Sequence, residues 1–279
     1  MFYFLLVYLV LVLIRPQDYP AVAESPGPPL QSIALVLAAG LWLFSQRKSF
    51  NQPQYLLIPA FLLVAMVSKV VNGWAGGALF VFFVFAPVLL AYVLLANAVD
   101  TRARLQAAMG VFVICASVLA VHGIEQASTG IGWTGVELSQ GTRIQYVGIF
   151  NDPNDLGMLF VMCLPMAFYL SGRGGWLGLK RLFWWTAIVL LVWGCYLTNS
   201  RGTLLALVAM LGVYVWRTRG VVMAALMGVG ALGGLMMLPS RLQEMEVSEA
   251  SAMGRVESWY EGIQMFIGSP VFGIGAGGY

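Results

Sequence analysis

The chain has 279 residues, of which 60% are hydrophobic and only 10% are charged. A soluble globular domain carries about 25% charged residues, so this composition excludes an ordinary soluble enzyme and indicates an integral membrane protein. The net charge of +3 is therefore no evidence for nucleic-acid binding. In a membrane protein the positions of the charges matter more than their sum.

Nine apolar runs are long enough, or nearly long enough, to cross a hydrocarbon core of about 30 Å. An isolated apolar run satisfies its backbone in lipid only as a helix, so all of them are predicted to be helical. The fold class is therefore predicted to be all-α, a polytopic transmembrane helical bundle of about nine spans with outward-facing loops and a short interfacial amphipathic helix. The spans are expected near residues 1–14, 30–45, 54–71, 76–98, 103–122, 152–171, 182–198, 202–216 and 220–238.

The positions of the basic residues predict the orientation of these spans. An excess of Lys and Arg in the short loops of one side is typical of the cytoplasmic side. If the N-terminus is cytoplasmic, alternate loops on that side contain one acid, Asp100, and a set of basic residues. That set is Arg47, Lys48, Arg102, Arg104, Arg173, Lys180, Arg181, Arg217 and Arg219.

Polarity also divides the chain into four parts. They are N-terminal transmembrane helices over 1–122, an outward loop over 123–151, transmembrane helices with a tight polar turn over 152–239, and the start of a large outward region over 240–279. In the last part, apolar residues from Val256 to Ile267 recur at helical spacing, which predicts the amphipathic helix. The sequence stops at Tyr279 without a stop-like ending, so a truncated chain is expected.

The polar turn Leu197–Gly202 separates two apolar runs and contains Arg201. An arginine at a lipid boundary is costly and is usually functional or held by a partner. Here it opens a helix beside the hydroxyls of Ser200 and Thr203. A guanidinium together with free helix N–H groups is a favourable site for phosphate. The alternative is an interfacial arginine that extends toward lipid headgroups.

A second polar cluster, Gly148–Gly157, lies at the start of the sixth span. Asn151 or Asp152 suits the helix cap and Pro153 suits the first turn. Two carboxylates and two amides exceed what one cap needs, so a sugar-binding or site-supporting role stands beside the capping role. The candidate substrate-binding residues are Arg143, Asn151, Asp152, Asn154, Asp155 and Ser200.

Other residues are weaker candidates. Arg143 and Arg255 are further cations on the predicted outward side, although a solvated loop charge is an equal alternative for Arg143. The lone histidine, His122, is predicted to end the fifth span, where capping is a more common role than catalysis. No motif for a cofactor, a metal site or a conventional soluble active site is present. The cysteines lie in apolar runs and imply neither a disulfide nor a metal site: Cys115, Cys163 and Cys195.

Four motifs in this order resemble those of the O-antigen ligase and Wzy-type polymerase family of bacterial inner-membrane glycosyltransferases. They are Arg143–Gly157, Thr198–Gly202, Gly254–Arg255 followed by Trp259, and Gly268–Gly275. The resemblance covers roughly residues 140–279. It implies a GT-C type enzyme of the inner membrane with a cytoplasmic N-terminus and a periplasmic active face. Such an enzyme transfers a glycan from undecaprenyl diphosphate to a hydroxyl of lipid A core, another glycan or a protein, without a metal or cofactor.

The resemblance also implies roles for particular residues. Arginines in the family's Ser-Arg-Gly and Gly-Arg motifs contact the lipid-linked diphosphate, which assigns that role to Arg201 and Arg255. The family's catalytic histidine lies in a periplasmic loop beyond the motif that corresponds to Gly273–Gly278. That position lies past Tyr279, so the fragment is expected to be inactive by itself, and His122 does not match the motif.

The alternative function is a transporter or flippase of lipid-linked saccharides. Such a protein is expected to carry charged or broken helices near the bilayer midplane. The charges of this sequence are predicted to lie near the ends of its spans, with Lys69 near the edge of one of them.

Overall fold

A computed structural model describes residues 1–23, 27–45, 48–172, 178–236 and 245–275. Over these ranges the chain is helical, with isolated β-bridges at Ile131–Glu137 and Ser139–Arg143 as its extended pairings. Short 3-10 turns occupy Pro16–Asp18 and Gly148–Phe150. The α-helices are α1 Phe2–Ile14, α2 Pro20–Ala23, α3 Leu30–Leu43, α4 Gln54–Val71, α5 Ala75–Ala98, α6 Arg102–Thr129, α7 Pro153–Ser171, α8 Leu179–Leu197, α9 Arg201–Arg219, α10 Val221–Met236 and α11 Met245–Gly268.

The all-helical prediction is confirmed, and every predicted span coincides with a helix. Five helices, α4 to α8, are both long enough and apolar enough to cross a membrane. The helix α3 is apolar but shorter, as is the stretch Val221–Ala231 of α10. Since α9 has Arg201 at one end and Arg217 and Arg219 at the other, its uncharged stretch is short. The predicted count of nine spans is therefore not confirmed.

The helix α6 differs most from its prediction, because it continues past His122 to Thr129. Its last turns are rich in polar residues, which resemble a loop in the sequence. In the structure Gln126 is buried, and the hydroxyls of Ser128 and Thr129 bind the carbonyl of Glu125 within the helix. The prediction that the helix of this span ends at His122 is therefore wrong. The residue that follows the helix is Gly130, with a φ of 86° that suits glycine.

The described chain divides into two compact units, Met1–Phe44 with Ala98–Ala231, and Ser45–Asn97 with Leu232–Tyr279. The core of the first unit lies where α1, α6, α7 and α8 pack together, and α9 packs against α7. Gly194 allows α8 to lie close to α7, because a Cβ at this position would lie 2.8 Å from the ring of Phe160 on α7. Leu119, Phe160 and Leu191 are fully enclosed at this contact.

The second unit contains α4, most of α5 and α11. The predicted amphipathic helix is present but begins earlier, at Met245, and it ends at Gly268 as the following Ser269 and Pro270 predict. Its apolar residues from Val256 to Ile267 are exposed. Their position in a membrane interface stays a prediction.

Candidate functional site

The loop that follows α6 is fixed to that helix by buried polar side chains. His122 Nε2 lies 2.8 Å from Thr134 Oγ1, and Trp133 and Tyr146 meet the imidazole edge to face. Gln126 donates to the carbonyl of Val136 over 2.8 Å. The histidine is fully buried and lies before the last turns of α6, so it does not cap this helix as the sequence predicts. These contacts hold the loop against the last turns of α6.

Tyr146 anchors the far end of this loop. Its hydroxyl donates to the carbonyl of Ile14 over 2.7 Å and lies 2.6 Å from the hydroxyl of Tyr19. Burial and the hydrogen bond with Tyr19 raise the pKa of Tyr146 above its usual value. The phenol is therefore neutral at ordinary pH and serves as a structural hydrogen-bonding group. The loop that contains Arg143 is held at both ends.

The turn between α8 and α9 consists of three residues, Thr198, Asn199 and Ser200. Asn199 adopts a left-handed conformation with φ 46°, which asparagine tolerates better than most residues. Ser200 caps α9, since its hydroxyl accepts a hydrogen bond from the N–H of Thr203 over 3.1 Å. The tight polar turn predicted from the sequence is therefore confirmed, and Arg201 is the first residue of α9.

The loop and this turn lie side by side. The N–H of Ile144 donates to the carbonyl of Leu197 over 3.3 Å, and Asn199 Nδ2 donates to the carbonyl of Thr142 over 3.0 Å. Between these two bonds, Arg143 Nε donates to the carbonyl of Thr198 over 3.1 Å. Arg143 is therefore held directly against the turn that precedes Arg201.

The start of α7 completes the arrangement. Asp152 caps this helix by accepting from the N–H of Asn154 over 2.6 Å, with Pro153 in the first turn. Asn154 Oδ1 then accepts two hydrogen bonds, one from Arg143 Nη2 over 3.0 Å and one from Ser200 Oγ over 2.6 Å. Three residues that are distant in the sequence thus meet at one amide oxygen. We call Arg143, Asn154 and Ser200 the amide cluster.

A glycine one turn into α7 brings α9 close to this cluster. A Cβ on Gly157 would collide with the hydroxyl and methyl groups of Thr203, so glycine is required for the observed spacing of the two helices. Thr203 Oγ1 is buried and has no hydrogen-bond partner among the described residues. The sequence motif contains Gly157, but its packing role depends on a contact that the sequence does not show.

The predicted site residues fall into three groups in the structure. Arg143, Asn154 and Ser200 form the amide cluster, and Ser200 is buried with its hydroxyl engaged on both sides. Asn151, Asp152 and Asp155 are exposed around the start of α7, and Arg201 is half-buried. Arg255 lies in α11, and its side chain is outside the described part of the structure. Thr198, which sequence reasoning did not select, holds Arg143 through its carbonyl.

Residues 186–279 match a family model described as O-antigen ligase. This segment is similar to the O-antigen ligase family. It covers the C-terminal third of the chain and contains the turn at Arg201, Arg255 and the glycine-rich motif, whereas the loop with Arg143 and the start of α7 precede it. No curated protein and no solved structure matches the chain.

The glycine-rich motif of the O-antigen ligase segment packs within the second unit, against the C-terminal end of α4. Ser68 Oγ donates to the carbonyl of Phe272, and Asn72 Nδ2 donates to the carbonyl of Gly273 over 2.9 Å. Lys69 is buried, with its ammonium 5.0 Å from the centre of the Trp74 ring. A Cβ on Gly275 would lie 3.0 Å from Lys69 Cδ, so glycine allows the motif to lie on the lysine side chain.

Proposed function

We propose that the protein is a membrane glycosyltransferase that transfers a glycan from undecaprenyl diphosphate to an acceptor hydroxyl on the periplasmic face of the inner membrane. The match of residues 186–279 to the O-antigen ligase family supports the general class, a glycosyltransferase of polysaccharide biosynthesis. The apolar helices support a membrane location. The observation that carries the proposal is the turn before α9: Arg201 directly follows Ser200, a member of the amide cluster, and this cluster holds a second arginine, Arg143.

The proposed reaction joins the acceptor oxygen to the anomeric carbon of the glycan while the bond from that carbon to the diphosphate oxygen breaks. The acceptor hydroxyl gives its proton to a general base, the role of the histidine that the family resemblance places past Tyr279. The diphosphate leaves with the bonding electron pair and therefore gains negative charge. Guanidinium groups that are already in position stabilise this charge in the transition state through charge-assisted hydrogen bonds. We assign this role to Arg201 and Arg255, with Arg143 as a further cation.

The remaining predicted residues are assigned to the sugar or the acceptor. Asn151, Asp152 and Asp155 are exposed beside the amide cluster, where carboxylates and amides are suited to bind sugar hydroxyl groups. Since Asp152 already caps α7, its second oxygen is the part that is available to a ligand. The acceptor is proposed to be lipid A core, another glycan or a protein.

The test is the substitution Arg201→Lys in the full-length protein. It replaces the planar guanidinium, which can donate two parallel hydrogen bonds, by an ammonium group that acts as a point charge. We expect transfer from an undecaprenyl-diphosphate-linked glycan to fall by about 100-fold or more. Arg219→Lys is the matched control, because it makes the same change at the other, exposed end of α9. Membrane-inserted protein is quantified for both variants. Unchanged transfer by Arg201→Lys at normal insertion would overturn the assignment.

A panel of acceptors with one lipid-linked donor separates a ligase, a polymerase and a protein glycosyltransferase, because these enzymes share the donor and differ in the acceptor. The alternative of a transporter or flippase is not favoured. The charged residues of the long apolar helices α4 to α8 lie near the helix ends, and none lies at the middle of these five helices. Charges at the bilayer midplane are the feature expected of such a transporter.

A further inference from the structure

The residues around Asn154 allow only one orientation of its side-chain amide. Arg143 is a donor only, so the group that faces its Nη2 atom at 3.0 Å must be the amide oxygen. The hydroxyl of Ser200 accepts from the N–H of Thr203, which leaves its proton for the same oxygen at 2.6 Å. Asn154 Nδ2 therefore points away from both residues. The oxygen is committed to holding the arginine and the cap of α9 together.

The acceptors that hold Arg143 are all neutral. Its Nε donates to the carbonyl of Thr198 and its Nη2 donates to the amide of Asn154. Within the described ranges, no carboxylate forms an ion pair with this arginine. A dipole fixes the position of a guanidinium without cancelling its charge, whereas a carboxylate does both. The half-buried Arg143 therefore keeps a full positive charge in a fixed place.

We propose that Asn154 is a positioning residue that holds Arg143 and the Ser200 cap in one geometry while it leaves the arginine charge available to the lipid-linked diphosphate. This inference rests on the proposed function. An aspartate at the same position accepts the same two hydrogen bonds, but its negative charge neutralises Arg143 and repels the diphosphate. The negative charge of the diphosphate thus explains why an amide, and not a carboxylate, occupies this position of the cluster.

The experiment compares Asn154→Asp with Asn154→Ala, using undecaprenyl diphosphate as the probe and undecaprenol as the uncharged counterpart. Binding to the purified protein in nanodiscs is measured as a dissociation constant. We expect Asn154→Asp to weaken binding of the diphosphate by about tenfold or more. Asn154→Ala removes the hydrogen-bond acceptor without adding charge, so it should weaken binding of the diphosphate less, by about threefold. Binding of undecaprenol should change little in either variant.

The order of the two effects separates positioning of a charge from a purely structural role. Aspartate keeps both hydrogen bonds and is favourable in the first turn of a helix, so a structural role predicts that alanine is the more harmful change. Asn51→Asp is the matched control, since Asn51 is exposed in the loop before α4 and makes no hydrogen bond with a described side chain. It should bind the diphosphate as the unchanged protein does.

A second pair of variants keeps the test decisive if Asn154→Asp folds poorly. In protein that carries Arg143→Gln, the change Asn154→Ala should cause little further loss of diphosphate binding, because the charge that it positions is already gone. Diphosphate binding by Asn154→Asp equal to that of the unchanged protein would overturn the positioning role alone. Failure of the unchanged protein to bind undecaprenyl diphosphate would overturn the proposed function, and this inference with it.

Discussion

Arg104 and Arg143 are both half-buried arginines of the first unit, but they are held in opposite ways. Arg104 Nη1 donates to Asp100 over 2.9 Å and to the carbonyl of Ala98 over 3.1 Å, so its charge is paired. Arg143 is held by a carbonyl and an amide, which leave its charge uncompensated. The difference separates an arginine that stabilises a connection from one that is suited to bind an anion.

Arg15 follows the pattern of Arg104. Its Nε lies 2.6 Å from Asp18 Oδ2, and its side chain packs on Gly148, whose φ of 66° suits glycine. The ion-paired arginines Arg15 and Arg104 thus lie at connections between helices, and each is paired with an aspartate three or four residues away. The unpaired arginine lies where the loop, α7 and the turn before α9 meet. This contrast makes Arg143 a better candidate than its sequence alone indicates.

The largest difference is expected between Arg143→Gln and Arg104→Gln, in their effect on the affinity for undecaprenyl diphosphate. Removing a charge that is held ready for an anion should weaken binding of undecaprenyl diphosphate by about 30-fold, or about 2 kcal/mol. Removing the paired charge of Arg104 should change binding by less than about twofold. The dissociation constants of both variants are measured at low and at high salt. High salt screens charges, so it should reduce the difference in dissociation constant between the two variants. Equal losses in the two variants would contradict the comparison.

A smaller effect is expected when the spacing of α7 and α9 is changed. Gly157→Ala places a methyl group where the side chain of Thr203 lies, so α9 and its first residue, Arg201, must shift. Overpacking of this kind costs about 1–2 kcal/mol, and transfer should fall with it. Thermal unfolding of the purified variant measures the loss of stability, and a glycan-transfer assay of the full-length protein with the same substitution measures the loss of activity.

Gly212→Ala is the control for this substitution, because it lies on α9 with nothing within 4 Å of the added methyl group. It should be neutral or slightly stabilising, since alanine is the better helix former. Adding Thr203→Ala to Gly157→Ala removes the groups that collide and should restore part of the stability. Equal unfolding temperatures for Gly157→Ala and Gly212→Ala would show that the close contact does not fix the turn.

The helices of this protein could be predicted largely from hydropathy, because a long apolar run in lipid has few ways to satisfy its backbone. The error at α6 shows the limit of that reasoning. Glu125, Gln126 and Ser128 resemble a loop in composition, yet Gln126 is buried against the backbone of the loop that follows. A polar helix end and a polar loop differ only in tertiary contacts, which composition does not contain.

The candidate site was predictable in its parts but not in its connections. The pattern of Ser200 followed by Thr203 indicates a helix start, and Asp152 before Pro153 indicates another, and the structure confirms both. Asn154 lies 46 residues from Ser200 in the sequence, so no local pattern predicts that its oxygen joins Ser200 to Arg143. The choice among the amides and carboxylates of that motif depends on helical phase and on packing.

The smallest effect is expected for Asp100→Asn, which converts Arg104 into an arginine held by neutral acceptors. The side chains of Arg104 and Asp100 are partly exposed, at 43% and 36%. Loss of the ion pair should therefore lower the free energy of unfolding by less than about 1 kcal/mol. The substitution makes the local chemistry of Arg104 similar to that of Arg143. Arg104 lies in the first turn of α6 at a single connection, whereas Arg143 lies where the loop, the start of α7 and the turn before α9 meet. Binding of undecaprenyl diphosphate should therefore be unchanged. A gain or loss of affinity beyond about threefold would mean that an uncompensated arginine in this unit affects the ligand regardless of its place, and the contrast between the two regions would fail.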